Sequence, residues 1–541
     1  LDDKTLTQRM RSWWEQNYSA DGMAIVIYGP QSIKELQSLA EKNFAPISKR
    51  PNQKSYPLNE VIAKTPSIAK ARINDEERSL YLLFKLPQKD PEVDNTNRAF
   101  LEFLLERNLP NSFANSALAR RFAAKIHVSA ANNTEDSSYL DIYINLHYKG
   151  GEKYWQVVQQ LMQYVDSLKS APIEQWRLDE FNTTNALSWC YKENANVGKY
   201  AENLNKAAPE LVFSRGRFQQ KVDPNALREL LEAINVENML AVVVHPDFGG
   251  SEESEWYGVP YDLEEIPERS VKNYLPSDQV KFYIDRPAPN TYLPSKIEAL
   301  PDSVAHAPQK LSTLSPVNAW YARDTSFDDP RVFYYLEVRS VDADNSAKNA
   351  AHITLLRDML RNQLKYTRAQ ASDAKSGISV TRIPDGIGFY FEGYPESVKL
   401  LVQDVTNRLS DFKMRDRLFE RFHYGWIHYL KDYEEIDPGI QADELIENLV
   451  TGPHYSYSEQ QSGMRSTRES GIYSQLKTLK ENSNLQSLAY GNVSEQLALE
   501  LNQIMLKVFK ANNIQHTHPV QLPASISRVY SDAEYEDSVN L

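Results

Sequence analysis

The chain has 541 residues, 41% of them hydrophobic and 25% charged, with a formal net charge of −13. That length is too great for one hydrophobic core and predicts two or three modules. The acidic balance argues against a broad nucleic-acid footprint, and no run reaches the ~18 apolar residues that span a bilayer.

The chain opens Leu1-Asp2-Asp3-Lys4-Thr5, with neither an initiator Met nor the basic, apolar and small-residue pattern of a signal peptide. A processed or truncated chain is the expectation. Asp3 or Thr5 reads as the N-cap of a first helix. The run Met23–Tyr28 has the length and composition of a buried strand. Behind it Ser32 is a natural N-cap, and Ile33, Leu36, Leu39 and Ala40 fall on one helical face. Residues 1–45 read as the closing helix–strand–helix of a module, and 46–69 as a linker bearing Pro and Lys.

Residues 70–248 read as a complete second module. Leu140, Ile142, Ile144 and Leu146 alternate with Asp141, Tyr143 and Asn145, the pattern of a half-buried strand. Tyr154, Val157, Val158, Leu161, Val165 and Leu168 then form a helical stripe, and a further helix carries Phe181 and Trp189. The single cysteine, Cys190, follows; alone it forms no intrachain disulfide and reads as a small buried hydrophobe. Leu240–Val244 is another apolar strand. A connector rich in Pro and acidic residues occupies 249–315.

Residues 316–511 read as a third module and 512–541 as a tail or linker. A strand at Ile387–Glu392 precedes a helix with Val398, Leu401, Val402, Val405 and Leu409 on one face, and Leu418 and Trp426 stand where Phe181 and Trp189 stood. The strand ending recurs: Asp21-Gly22-Met23 through Tyr28-Gly29, Glu237-Asn238-Met239 through His245, and Asn484-Leu485 through Tyr490-Gly491. Ser494 repeats the capping role of Ser32. This is a domain-scale duplication, not a solenoid. The expected fold class is α+β, an antiparallel-rich sheet with helices packed on one face and used repeatedly.

The connector carries Glu255-Trp256-Tyr257-Gly258-Val259-Pro260-Tyr261, then Asn290-Thr291-Tyr292-Leu293-Pro294 and Asn318-Ala319-Trp320-Tyr321. Tyr18-Ser19-Ala20-Asp21-Gly22-Met23 lies near the start, and Ala489-Tyr490-Gly491-Asn492 near the end. In this order the pieces resemble the late first domain, second domain, hinge and third domain of M16 zinc metallopeptidases, the pitrilysin and insulin-degrading enzyme group. The resemblance runs from about residue 5 to 520. It implies repeated domains of the LuxS/metallohydrolase-like kind, four in the family, packed as two halves around a chamber. It implies peptide substrates and a Zn²⁺ ion held by H-x-x-E-H and a later Glu in the first domain, with an Arg and a Tyr from the fourth domain assisting.

No H-x-x-E-H or its inverse occurs in the chain. No two of its ten histidines, at 127, 147, 245, 306, 352, 423, 428, 454, 516 and 518, are four apart. His423 and His428, five apart, fall on different helical faces. There is no G-x-S-x-G elbow and no P-loop. No catalytic or metal-binding residue is therefore assigned, and the chain alone is expected not to hydrolyse peptides by the family mechanism. By the resemblance, the zinc ligands would precede Leu1 and the fourth-domain residues would follow Leu541.

What remains by resemblance is substrate contact through strand addition at Ile126, Val128, Ser129 and Ala130. The alternative is an ordinary edge strand. Before it the family has a Gly-rich turn where this chain has Arg107-Asn108-Leu109-Pro110-Asn111-Ser112-Phe113. Two readings of function stand. One is a segment of a zinc metalloendopeptidase that supplies chamber wall and substrate binding, partnered by the remaining first and fourth domains. The other is a non-catalytic peptide-binding protein or a partner of a catalytic subunit. The resemblance to pitrilysin suggests a periplasmic setting, with a cytoplasmic one as the alternative.

Overall fold

The computed structural model describes residues 3–49, 64–74, 76–87, 91–130, 138–190, 198, 200, 204, 221–276, 287–301, 307–325, 328–414, 417–431, 437–450 and 455–512. The chain divides into two units, Leu1–Pro289 and Asn290–Leu541.

In the first unit seven strands form one sheet: β1 (Ser67–Ala71), β2 (Ser79–Leu86), β3 (Ala123–Ser129), β4 (Ser138–Leu146), β5 (Met239–Val244), β6 (Glu252–Glu253) and β7 (Pro260–Glu265). Their order is β3-β4-β2-β5-β1-β7-β6. Only β1 and β5 run parallel; the other neighbouring pairs are antiparallel.

The two-residue period of a strand decides which side chains meet. Leu80 faces Ile144, Leu82 faces Ile142 and Phe84 faces Leu140, all buried on one side of the sheet. Against them pack Phe100, Leu101 and Leu104 from the helix Pro91–Glu106, and Val157, Val158, Leu161 and Val165 from the helix Tyr154–Lys169. Leu227, Leu230 and Leu231 come from the helix Pro224–Ala233, which Asp223 caps by accepting the Asn225 N–H. Each such side chain stabilises the fold by about 1.5–3 kcal/mol on full burial, so this face carries the unit.

The second unit repeats the plan. Its strands are β8 (Gln309–Lys310), β9 (Asn318–Arg323), β10 (Val332–Arg339), β11 (Gly377–Ile383), β12 (Gly386–Gly393) and β13 (Asn484–Gly491), in the order β11-β12-β10-β13-β9-β8. β9 and β13 are the parallel pair, as β1 and β5 are in the first unit. β3 in the first sheet and β11 in the second stand at a sheet edge. The duplication and the α+β class read from the sequence are both present.

Three local outcomes differ from or refine the sequence reading. Met23–Tyr28 is not a strand: it carries no regular secondary structure, and Met23, Ile25 and Ile27 are exposed. A strand exists only through a neighbour's hydrogen bonds, and among the described residues none lies beside it. The helix that follows, Ile33–Phe44, still forms because Ser32 and Glu35 make a reciprocal capping box, although no residue of it is buried. The sheets also extend beyond 70–248 and 316–511: β1 starts at Ser67, and the connector supplies β6, β7 and β8. Trp256 and Tyr257, each 86% exposed, lie between β6 and β7, where Gly258 takes a positive φ of 61°. Farther along, the Asn290 side chain donates to the Gln370 carbonyl at 2.8 Å, and Ser397 Oγ donates to the Tyr292 carbonyl at 2.6 Å. Both contacts hold this part of the connector to the second unit.

Candidate functional site

Alternation leaves each sheet a second face, and in its middle rows the side chains are half-buried or exposed rather than part of the core. In the first unit Val242, Tyr81, Tyr143 and His127 lie in register across β5, β2, β4 and β3. The next row is Leu240, Leu83, Asp141 and Ser129. The Tyr81 and Tyr143 rings stand 4.8 Å apart. Burial pushes the Asp141 carboxyl above its ordinary pKa, opposed by the nearby His127.

The second unit has the same kind of face with more aromatic surface. Ser379, Tyr390, Tyr335, Leu488, Trp320 and Lys310 form one row across all six strands. Glu392, Phe333 and Tyr490 form the neighbouring row. A cavity of about 390 Å³ opens among Pro308, Trp320, Tyr335, Glu337, Gln486 and Leu488. A second, of about 540 Å³, lies along β11 and is lined by Lys365, Arg368, Ser372, Ser379, Tyr390 and Glu392. The sequence reading did not single out this surface. Its signal was the outward alternation of Phe333, Tyr335 and Glu337 in β10.

β3 ends the first sheet, so its outer side presents main-chain groups without a ladder partner among the described residues. Ile126 and Val128 bury their side chains in the core, and Ser129 is half-buried at the end of the strand. Ala130 is buried and its main chain is engaged. Its N–H donates to Glu102 Oε1 at 2.5 Å, and its carbonyl accepts from Arg98 Nη1 at 3.5 Å. Both side chains belong to the helix Pro91–Glu106. Burial raises the Glu102 carboxyl, while the Ala130 hydrogen bond opposes that rise. His127 Nδ1 lies 3.0 Å from Glu106 Oε1 on the exposed side.

The turn at 107–112, which the helix Phe113–Ala119 separates from β3, finds a substitute for glycine: Asn111 takes a positive φ of 72°. Asn is among the few other residues that enter this region readily. Ser112 follows it, donating from Oγ to the Arg107 carbonyl at 2.7 Å and accepting the Asn115 N–H at 3.1 Å.

Among the described residues one group brings three potential metal-binding side chains together. Ligand atoms of Glu152, His245 and Asp247 all lie within 4.8 Å of one another. They come from separate stretches of chain and do not form the single-helix H-x-x-E-H set, so the family's zinc chemistry does not fit here. His423 and His428 share the helix Leu418–Lys431 but take different partners, the Met464 carbonyl at 2.7 Å and the Tyr424 hydroxyl at 2.9 Å. The Cys190 side chain, His306, His454, His516, His518 and the acidic run 432–435 lie outside the described residues. Tyr455 donates from its hydroxyl to the Asp344 carbonyl at 2.5 Å. Among the described residues no helix is long and apolar enough to cross a membrane.

A family model described as the middle or third domain of peptidase M16 matches residues 191–462, and one described as the peptidase M16 inactive domain matches residues 6–183. The chain is 21% identical over 550 residues to the insulin-degrading enzyme of Homo sapiens, covering 98% of this chain and 52% of that protein. It is 20% identical over 526 residues to the A-factor-processing enzyme of Saccharomyces cerevisiae, covering 95% and 50%. It thus spans about half the length of the curated relatives it matches. The crystal structure of pitrilysin superposes with a TM-score of 0.73 at 19% identity, covering 92% of this chain and 54% of that one, a likeness of fold.

Proposed function

We propose a function from one premise: the chain belongs to the M16 peptidase family. In this reading it is a segment of a zinc metalloendopeptidase that degrades peptides, and it supplies chamber wall and substrate contact while other domains supply the zinc site. The observation that carries the reading is the repeated unit with helices on one sheet face and a half-buried or exposed aromatic second face. Rows such as Tyr390–Tyr335–Leu488–Trp320 offer an extended peptide apolar contact without a specific side-chain code.

At β3 the proposed contact is main-chain pairing along Ile126, Val128 and Ser129, whose outer edge has no ladder partner among the described residues. The ladder would stop at Ala130, where Glu102 and Arg98 already hold the peptide groups. The partners are the remaining first and fourth domains. Residues 3–47 support that assignment, because Leu6, Met10, Trp13, Trp14, Ile25 and Ile27 are exposed and suit cover by a further domain. The second reading is a non-catalytic peptide-binding or partner subunit. The match of residues 6–183 to a domain described as inactive favours it.

The test is titration of fluorescent unstructured peptides with this chain, following anisotropy and cleavage together. Saturable binding without cleavage is expected. Chelator-sensitive hydrolysis by this chain alone would refute the assignment of the zinc site to other domains. No binding of any peptide would refute the substrate-contact role.

A further inference from the structure

The two cavities of the second unit open on the same sheet face, and one row of side chains joins them. Ser379 and Tyr390 line the larger cavity; Tyr335, Leu488 and Trp320 line the smaller. All five stand in one register, on β11, β12, β10, β13 and β9 in turn. Neighbouring strands lie about 4.8 Å apart, so Ser379 and Trp320 are separated by about 19 Å, the reach of roughly six residues of extended chain.

The two ends of the row differ in chemistry. At the β11 end the helix Lys365–Asp373 packs Ala371 into the core that holds Ile378 and Val380, and Lys365, Arg368 and Ser372 line the cavity. Their spacing puts these three on one helical face. Lys365 and Arg368 are exposed, and among the described residues neither has a carboxylate within ion-pair distance. The Lys365 Nζ rests 4.6 Å from the centroid of the Tyr366 ring. The carboxylate in that lining, Glu392, lies over Gly377, where a Cβ would stand 2.7 Å from its Oε1. It accepts the Tyr390 hydroxyl at 3.3 Å. At the β9 end Trp320, Tyr335, Leu488 and Pro308 make an apolar wall. Its one acid, Glu337, is already occupied: it accepts from Arg339 Nε at 2.8 Å and from the Tyr335 hydroxyl at 3.2 Å. One end therefore carries unpaired positive charge, and the other offers an apolar socket.

From this geometry we infer that the face selects extended peptides at two points. Lys365 and Arg368 take an acidic side chain, and Trp320, Tyr335 and Leu488 take an aromatic or large apolar one, about six residues away along the peptide. The inference rests on the peptide-contact reading and names the class of peptide that this face prefers. A chain following the row runs across the strands, so it adds no ladder to the sheet and side chains must supply the discrimination. The apolar end supplies most of the affinity, because ion pairs at exposed positions contribute little alone. The basic end supplies the choice between peptides. Two weak contacts on one chain reinforce each other only when the link between them spans the two sites. Spacing is therefore part of the specificity.

The test uses the full chain and three fluorescent peptides of equal length, built on Gly and Ser and amidated at the C-terminus so that the only carboxylate is a side chain's. The first carries Glu and Phe roughly six residues apart. The second has Gln in place of Glu, and the third has Glu and Phe adjacent. By anisotropy the first should bind at least fivefold more tightly than either of the others, and its advantage over the Gln peptide should shrink as salt is raised. Lys365→Gln combined with Arg368→Gln, both at exposed positions, should keep the melting temperature and erase the preference for Glu over Gln. Equal affinity for the three peptides, or a Glu preference that survives the double change, overturns the inference and leaves peptide contact standing. Failure of all three to bind overturns peptide contact itself, and this inference with it.

Discussion

Arg107 and Glu180 form a buried ion pair, Nη1 donating to Oε2 at 2.5 Å with only 8% and 7% of the side chains exposed. It ties the start of the turn at 107–112 to the helix Gln175–Cys190, while the guanidinium carbon sits 4.4 Å from the Phe103 ring centroid. Breaking such a pair removes the close counter-charge of a buried ion. Glu180→Ala should therefore lower stability by about 3–5 kcal/mol, read from urea unfolding. The double change Arg107→Met with Glu180→Leu should recover most of that loss. A single-mutant cost under about 1 kcal/mol would show that the pair is not a structural tie.

Asn111 holds its turn at positive φ, so its replacement should follow backbone tolerance rather than size. Asn111→Val should cost about 1–2 kcal/mol and Asn111→Gly much less, because only glycine escapes the Cβ conflict. Equal losses in thermal unfolding would refute this account.

The helices Ala347–Gln363 and Glu469–Glu481 meet where Gly471 faces His352. A Cβ at Gly471 would lie 2.2 Å from His352 Nε2, so Gly471→Ala should destabilise by about 1–3 kcal/mol. His352 also gives this unit a pH dependence. Burial lowers its pKa below 6.5, and Lys348 adds to the effect. The unfolded chain then binds a proton near 6.5 that the folded chain refuses. Its contribution to stability is complete above that pH and declines as the pH falls below it. His352→Leu should flatten the decline in urea midpoints between about pH 7.5 and 5.5; an unchanged slope would assign the acid sensitivity elsewhere.

The second sheet face offers a direct test of substrate contact. Leu488 sits between Tyr335 and Trp320 with 36% of its surface exposed. Leu488→Asp should reduce peptide affinity roughly tenfold, the scale of a contact residue, with little change in melting temperature. Tyr81→Asp is the matching change on the first unit. If peptide binding survives both unaltered, the open faces are not where peptides lie.

Sequence alone determined the repeating grammar. Alternation at Leu140–Leu146 and in the strand from Asn484, helical stripes such as Val157–Leu161–Val165, and caps at Ser32 and Ser494 are set by neighbours a few residues apart. Local backbone period and hydrogen bonding therefore suffice to reveal them. Motif order across the connector added the family. Tertiary structure decided what depends on partners distant in the chain. Met23–Tyr28 has the composition of a strand but, among the described residues, no neighbour to pair with. β3 lies at an edge because β4 returns beside β2, and the edge ends at Ala130 because Glu102 reaches across from a helix. His245 gained Glu152 and Asp247 only when β5 paired with β1 and Gly151 allowed close approach. Periodicity carries no information about such meetings, because long-range pairing, not local preference, brings those side chains together.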